Sequence, residues 1–149
     1  MSPGRTALRA ALVAIAVIAA DQVTKAIVRA QIDPFEQIKV LPGVKLIHTE
    51  NTGVAFSVLR GGGPLVVIVA ILALAALLAF FVTHLRRPLV WLPTGLLLGG
   101  AAGNLIDRVR EGGVTDFIKL PHWPAFNVAD IAVTVGVIVL VLVLERKPS

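Results

Sequence analysis

The chain is 149 residues long, 56% hydrophobic and only 15% charged, with a formal net charge of +5. An average soluble domain is nearer a quarter charged, so this composition excludes a disordered chain and argues against an ordinary soluble globule. The absence of cysteine excludes disulfide scaffolds, thiol nucleophiles and Cys-ligated metal centres, and three scattered histidines, His48, His84 and His122, offer no metal-ligand spacing.

Four apolar segments follow in chain order, and a helix needs about 20 such residues to cross a bilayer core. The first, residues 6–26, carries Arg9 and closes on Asp21 and Lys25, four apart as in an intrahelical ion pair. Arg5 and Arg9 ahead of an apolar stretch ending in Ala19-Ala20 also fit a cleavable signal peptide, but three later apolar segments favour a retained helix. Residues 31–62 form a long connection. Ile38, Val40, Val44, Leu46 and Ile47 predict short strands there, with Pro42-Gly43 as a turn. The second span, residues 64–83, has no charge and holds thirteen Leu, Ile, Val or Phe residues between Leu65 and Val82. On insertion scales these supply roughly −4 to −8 kcal/mol. A third span, residues 88–106, is interrupted by Pro93 and rich in glycine toward its end. A fourth, residues 127–144, carries one charge, Asp130.

Loop charges orient these spans. Residues 84–88, His-Leu-Arg-Arg-Pro, are purely basic, and both ends of the chain carry Arg or Lys. Four spans put these three regions on one side, which the positive-inside preference makes cytoplasmic. The net positive charge is then explained by the membrane, and no nucleic-acid partner is expected. Lys39, Lys45, Arg60, Arg108, Arg110 and Lys119 fall on the other side, so the bias is moderate. Eight of the nine acidic residues also fall at or near that outer face. Trp91 and Trp123 read as interfacial anchors. Gly95, Gly99 and Gly103 have the small-xxx-small spacing of close helix packing. Thr94 and Thr134 are expected to bond along their own helices or to neighbours.

Polar side chains inside a span are costly and each needs a reason. Asp130 lies roughly 21 Å from the inner end of its helix, with Asn127 three residues earlier on the same face. Asn104 and Asp107 repeat that spacing where the third span exits, and Asp107 next to Arg108 also suits a solvated pair. Asp116 stands among Val114, Phe117 and Ile118 after the Gly112-Gly113 pair, unlike a solvated loop carboxylate. Pro121 and Pro124 between Asp116 and Asp130 exclude one continuous helix, so the chain turns back and can bring the two acids together. Two close carboxylates share a proton, the arrangement that activates water and protonates a leaving amine. Asn amides nearby could hold a scissile carbonyl. A proton relay in a carrier would use the same residues, and a non-catalytic assembly subunit would explain the glycine spacings alone.

Five motifs occur in order: Asp21-Gln22-x-x-Lys25; Asn51-Thr52-Gly53-Val54-Ala55-Phe56-Ser57; residues 99–108, Gly-Gly-Ala-Ala-Gly-Asn-Leu-Ile-Asp-Arg; Val114-Thr115-Asp116-Phe117-Ile118; and Phe126-Asn127-Val128-Ala129-Asp130. Together they resemble bacterial lipoprotein signal peptidase, signal peptidase II, over residues 21–136. The resemblance implies a membrane all-α bundle of four transmembrane helices with a small extracytoplasmic β-cradle, forming one integral membrane domain, 1–149. It implies an aspartic endopeptidase of the bacterial inner membrane that cuts diacylglyceryl-modified prolipoproteins on the N-terminal side of the lipidated cysteine. The active site would lie near the outer face and both termini in the cytoplasm. Catalysis maps onto Asp116 and Asp130, and substrate binding onto Asn51, Asn104, Arg108 and Asn127. Asp21, Lys25 and Asp107 would support the site. The expected partners are the prolipoprotein, membrane lipid and globomycin-type inhibitors, with no metal or other cofactor, and the chain is expected to act as a monomer. Two departures are visible: Val54, where many relatives have Ala, and Ile131, where Ser or Thr is common.

Overall fold

The computed structural model describes residues 2–53 and 62–146, so motif residues 54–57 lie outside the described residues. Among the described residues there are four helices: α1, Pro3–Gln31; α2, Gly62–His84; α3, Trp91–Glu111; and α4, Val128–Glu145. Three strands, β1, Gln37–Leu41, β2, Val44–Asn51, and β3, Val114–Lys119, form an antiparallel sheet in the order β1-β2-β3. Among the described residues three helices are long and apolar enough to cross a membrane: α1, α2 from Pro64, and α4, with mean hydropathies of 1.9, 3.3 and 2.5.

The third expected span, 88–106, requires correction. The helix begins at Trp91 and runs on to Glu111. Pro93 does not break it, because a proline in the first turn lacks only an N–H that has no intrahelical acceptor. Gly112, at φ 79°, ends α3 in the left-handed conformation and turns the chain into β3. α3 contacts all three other helices, which is why it can be glycine-rich. The 31–62 region forms the hairpin β1–β2 around Pro42-Gly43, with Gly43 at φ 79°. The third strand comes from residues 114–119, outside that region.

Two parallel rows of residues, each spaced by four, set the α1–α3 contact. Gly95 lies against Val13, Gly99 against Val17 and Gly103 against Asp21. A Cβ on these glycines would come within 2.6, 2.7 and 2.5 Å of those side chains. The small-residue spacing therefore does bring the helices close. The next members of the two rows are Lys25 and Asp107, whose Nζ and Oδ2 are 3.0 Å apart. Gly100 does the same for α4, with Ala129 O at 2.6 Å from its would-be Cβ. A small core of Ala10, Phe81 and Val90 closes one end of the bundle. Val28, Ile32 and Phe117 close the other, where the sheet sits. Thr94 does not bond as expected: its hydroxyl is buried with no partner among the described residues. Thr134 donates to Asp130 O along its own helix.

Candidate active site

The site forms where β3, the ends of α1 and α3, and the start of α4 converge. Asn127 is the N-cap of α4: its side chain accepts from Asp130 N at 2.9 Å, and its own N–H donates to Asp130 Oδ2 at 3.1 Å. This reciprocal capping box fixes the first turn and the Asp130 carboxylate together. The amide of Asn127 has two further N–H protons. They reach Asp116 Oδ1 at 2.8 Å and Asn104 Oδ1 at 3.1 Å. One asparagine therefore ties both acids into a single network.

Asn104 is oriented from below. Lys25 can only donate, and its Nζ bonds Asn104 Oδ1 at 3.0 Å, which turns Asn104 Nδ2 toward Asp130 Oδ1, also at 3.0 Å. Lys25 itself is fully buried and pairs with Asp21 at 2.8 Å and Asp107 at 3.0 Å. Asp21 Oδ1 reaches across the chain to accept from Ala129 N at 2.9 Å, and Asp107 Oδ2 accepts from Thr115 N at 3.1 Å. The supporting residues thus hold the backbone beside each acid: Ala129 precedes Asp130 and Thr115 precedes Asp116. Asp107 is not a solvated partner of Arg108, since it is buried and faces Lys25.

Asn51, at the end of β2, accepts from Gly53 N through Oδ1 and donates Nδ2 to Asp116 Oδ2 at 3.3 Å. Asp116 is 4% exposed. Burial, followed by the charge of Asp130, raises its pKa to about 6; the Asn51 and Asn127 donors and the Lys25 charge pull the other way. Asp130 is half-buried and lines a cleft of about 260 Å³ with Trp123, Phe126, Ile131, Thr134 and Val135. Ile131 and Val135 belong to the exposed apolar face of α4, so the cleft opens toward the side where lipid would lie.

Arg108 stands apart from the two acids. It donates to Asn104 O at 3.4 Å and lines a second cleft with Thr52 and Val66–Ile68. Gln22 was not among the candidate residues, yet its amide bridges Asp21, Gly103 O and Asp107. Arg29 was missed as well. It reaches Thr115 Oγ1 at 2.8 Å, and its place four residues after Lys25 was the available signal. Among the described residues no cluster of His, Asp and Glu could hold a metal ion.

A bundle with three membrane-capable helices, closed at one end by a buried carboxylate–amide–ammonium network beside an apolar cleft, defines a membrane protein with a polar chamber. The family model of signal peptidase (SPase) II matches residues 13–145, and the chain belongs to that peptidase family. It is 43% identical to the lipoprotein signal peptidase of Symbiobacterium thermophilum, an alignment covering 91% of this chain and 95% of that protein. It is 37% identical to the lipoprotein signal peptidase of Halothermothrix orenii, over 91% and 94%. Its fold is similar to that of a bacterial membrane enzyme solved by the in meso method at 1.9 Å resolution, with a TM-score of 0.86, 34% identity and coverage of 93% and 94% of the two chains.

Proposed function

We propose that this chain, as one four-span membrane domain, removes the signal peptide from lipid-modified prolipoproteins by aspartic catalysis, with Asp116 and Asp130 as the catalytic pair. One observation carries the reading: two carboxylates from separate elements meet on one asparagine, Asn127, and one of them faces an apolar cleft open to the lipid side. The diacylglyceryl chains of the substrate lie along that cleft and α4, so binding of remote lipid positions the scissile bond. Three membrane-capable helices and the relatives' names support a membrane site and a lipoprotein substrate. The sheet acts as the cradle over the site, on the outer face of the inner membrane, with both termini cytoplasmic.

In the resting pair, Asp116 holds the proton, in keeping with its burial and raised pKa. Asp130, which accepts from Asn104 Nδ2 and Asn127 N, is the base. It takes a proton from water as the oxygen adds to the scissile carbonyl carbon, and the carbonyl oxygen takes the proton of Asp116. Collapse breaks the C–N bond. The leaving amine receives the proton on Asp130, and a hydroxyl of the intermediate returns one to Asp116, restoring the pair. Asn51 holds the peptide backbone near Asp116, and Arg108 contacts it at the second cleft.

The test is cleavage of a diacylglyceryl-modified precursor by purified protein, with globomycin as inhibitor. Asp116→Asn and Asp130→Asn, each shown to be folded, should lose about 10²- to 10⁴-fold in turnover, the usual worth of general acid–base groups. Near-normal turnover in either variant refutes the pair.

A further inference from the structure

The strand register sets three lysines in line. Lys39 on β1 is paired with Lys45 on β2, and Lys45 with Lys119 on β3. Directly paired residues point to the same face, so three ammonium-bearing side chains stand on neighbouring strands about 5 Å apart. Like charges placed opposite one another cost stability. Among the described residues none of the three forms an ion pair. Lys45 donates to Gln37 Oε1 at 2.9 Å and Lys119 to Trp123 O at 2.5 Å, both neutral acceptors. A cleft of about 310 Å³ runs beside the row, lined by Lys45, Lys119, Gln37, Gly43, Leu120 and Pro121.

We infer that this row is a binding site for the phosphate group of an anionic phospholipid. Four features select that occupant. Lys119 grips the Trp123 carbonyl five residues before α4 begins, which sets the row at the mouth of a membrane-capable helix. The indole of Trp123, 62% exposed, and Leu41, 60% exposed, flank it, the mixture of ring, alkyl and cation that suits a headgroup layer. Along β3, Asp116 and Ile118 alternate with Phe117 and Lys119, so the lysines point away from the face that bears Asp116, and a peptide crossing the two acids does not run over them. The lysines also stand on the side where the positive-inside preference disfavours them, and a lipid phosphate offsets that placement. This inference goes beyond the peptidase reading and does not depend on it.

The test uses Trp123 as the reporter. The chain has two tryptophans, so Trp91→Phe leaves Trp123 as the only indole. The full chain is reconstituted in phosphatidylcholine containing brominated phosphatidylglycerol and, in the mirror experiment, in phosphatidylglycerol containing brominated phosphatidylcholine. Half-maximal quenching is expected at a roughly fivefold lower mole fraction of the anionic lipid. The K39Q/K45Q/K119Q variant, with unchanged thermal unfolding, should show equal curves, and K45Q alone an intermediate preference. Equal curves in the unsubstituted row, or an undiminished preference in the triple variant, would overturn the inference. Loss of the preference on adding inorganic phosphate, but not chloride of equal ionic strength, would mark a free-anion site instead. Displacement by a soluble acidic peptide would mark a peptide site, and either outcome sinks the lipid assignment.

Discussion

Replacing Lys25 by methionine tests how the site is held. The Lys25 ammonium spends its three protons on Asp21 Oδ2, Asp107 Oδ2 and Asn104 Oδ1, at 2.8, 3.0 and 3.0 Å. Methionine fills much of the same volume and leaves two buried carboxylates facing each other without their shared cation. Arg29 approaches Asp107 only to 4.0 Å and cannot replace it. Breaking a buried pair in this way costs about 3–5 kcal/mol. For a chain of this size that lowers the unfolding midpoint by roughly 6–20 °C. The assay is thermal unfolding in detergent, followed by intrinsic tryptophan fluorescence. A second effect follows from the amide of Asn104. Without Lys25, only the Asn127 amide, at 3.1 Å, still holds the Asn104 oxygen, so the NH₂ facing Asp130 is held less firmly and precursor cleavage should fall in the folded fraction too. Neutralising all three groups, K25M/D21N/D107N, should recover most of the lost stability but not the activity. A midpoint for K25M within 2 °C of the parent would refute the shared-cation reasoning.

Other outcomes follow from the same network. Gly103→Ala would put a methyl 2.5 Å from Asp21 Oδ2, so it should cost about 1–3 kcal/mol and most of the activity, whereas Gly4→Ala, with nothing within 4 Å, should be silent in both measurements. Asn127→Ser keeps an N-cap oxygen but loses the donors to Asp116 and Asn104, so the melting temperature should hold within a few degrees while cleavage collapses. The raised pKa of Asp116 fixes a sign: the folded chain holds this proton more tightly than the unfolded chain, so the group's contribution to stability is full below about pH 4 and is lost as pH rises through about 6. The pH profile of stability measured for the parent and Asp116→Asn should diverge in that window. The same ionisation should produce an alkaline fall in kcat/KM near pH 6. Asn51→Leu, lacking a donor to the ionised form, should move that limb upward.

Much of this architecture was legible in the residues. Long apolar runs specify α1, α2 and α4, although α1 carries Arg9, Asp21 and Lys25 and α4 carries Asp130, because lipid leaves a helix no other way to satisfy its backbone. Asp116 and Asp130 stood out because a carboxylate amid Val, Phe and Ile needs a partner that the sequence nearby does not provide. Three features were not readable locally. Adjacency made Arg108 look like the companion of Asp107, but the glycine row brings α1 close enough for Lys25 to take that place. β3 went unseen because six residues between a glycine pair and a proline-rich loop become a strand only when β2 lies beside them. Pro93 looked like an interruption because its effect depends on whether it falls in the first turn or later. The double duty of Asn127, as helix cap and as link between two acids, needed the third dimension.

The bond from Ala129 N to Asp21 Oδ1 joins residues 108 positions apart. The chamber therefore draws on both the first and the last of the described helices. Without α4, β2 and Asp107 still hold β3 and Asp116 in place, but Asn127 and Asp130 are missing beside them. On the proposed pairing, the docking of α4 at once completes the bundle and brings Asp130 beside Asp116.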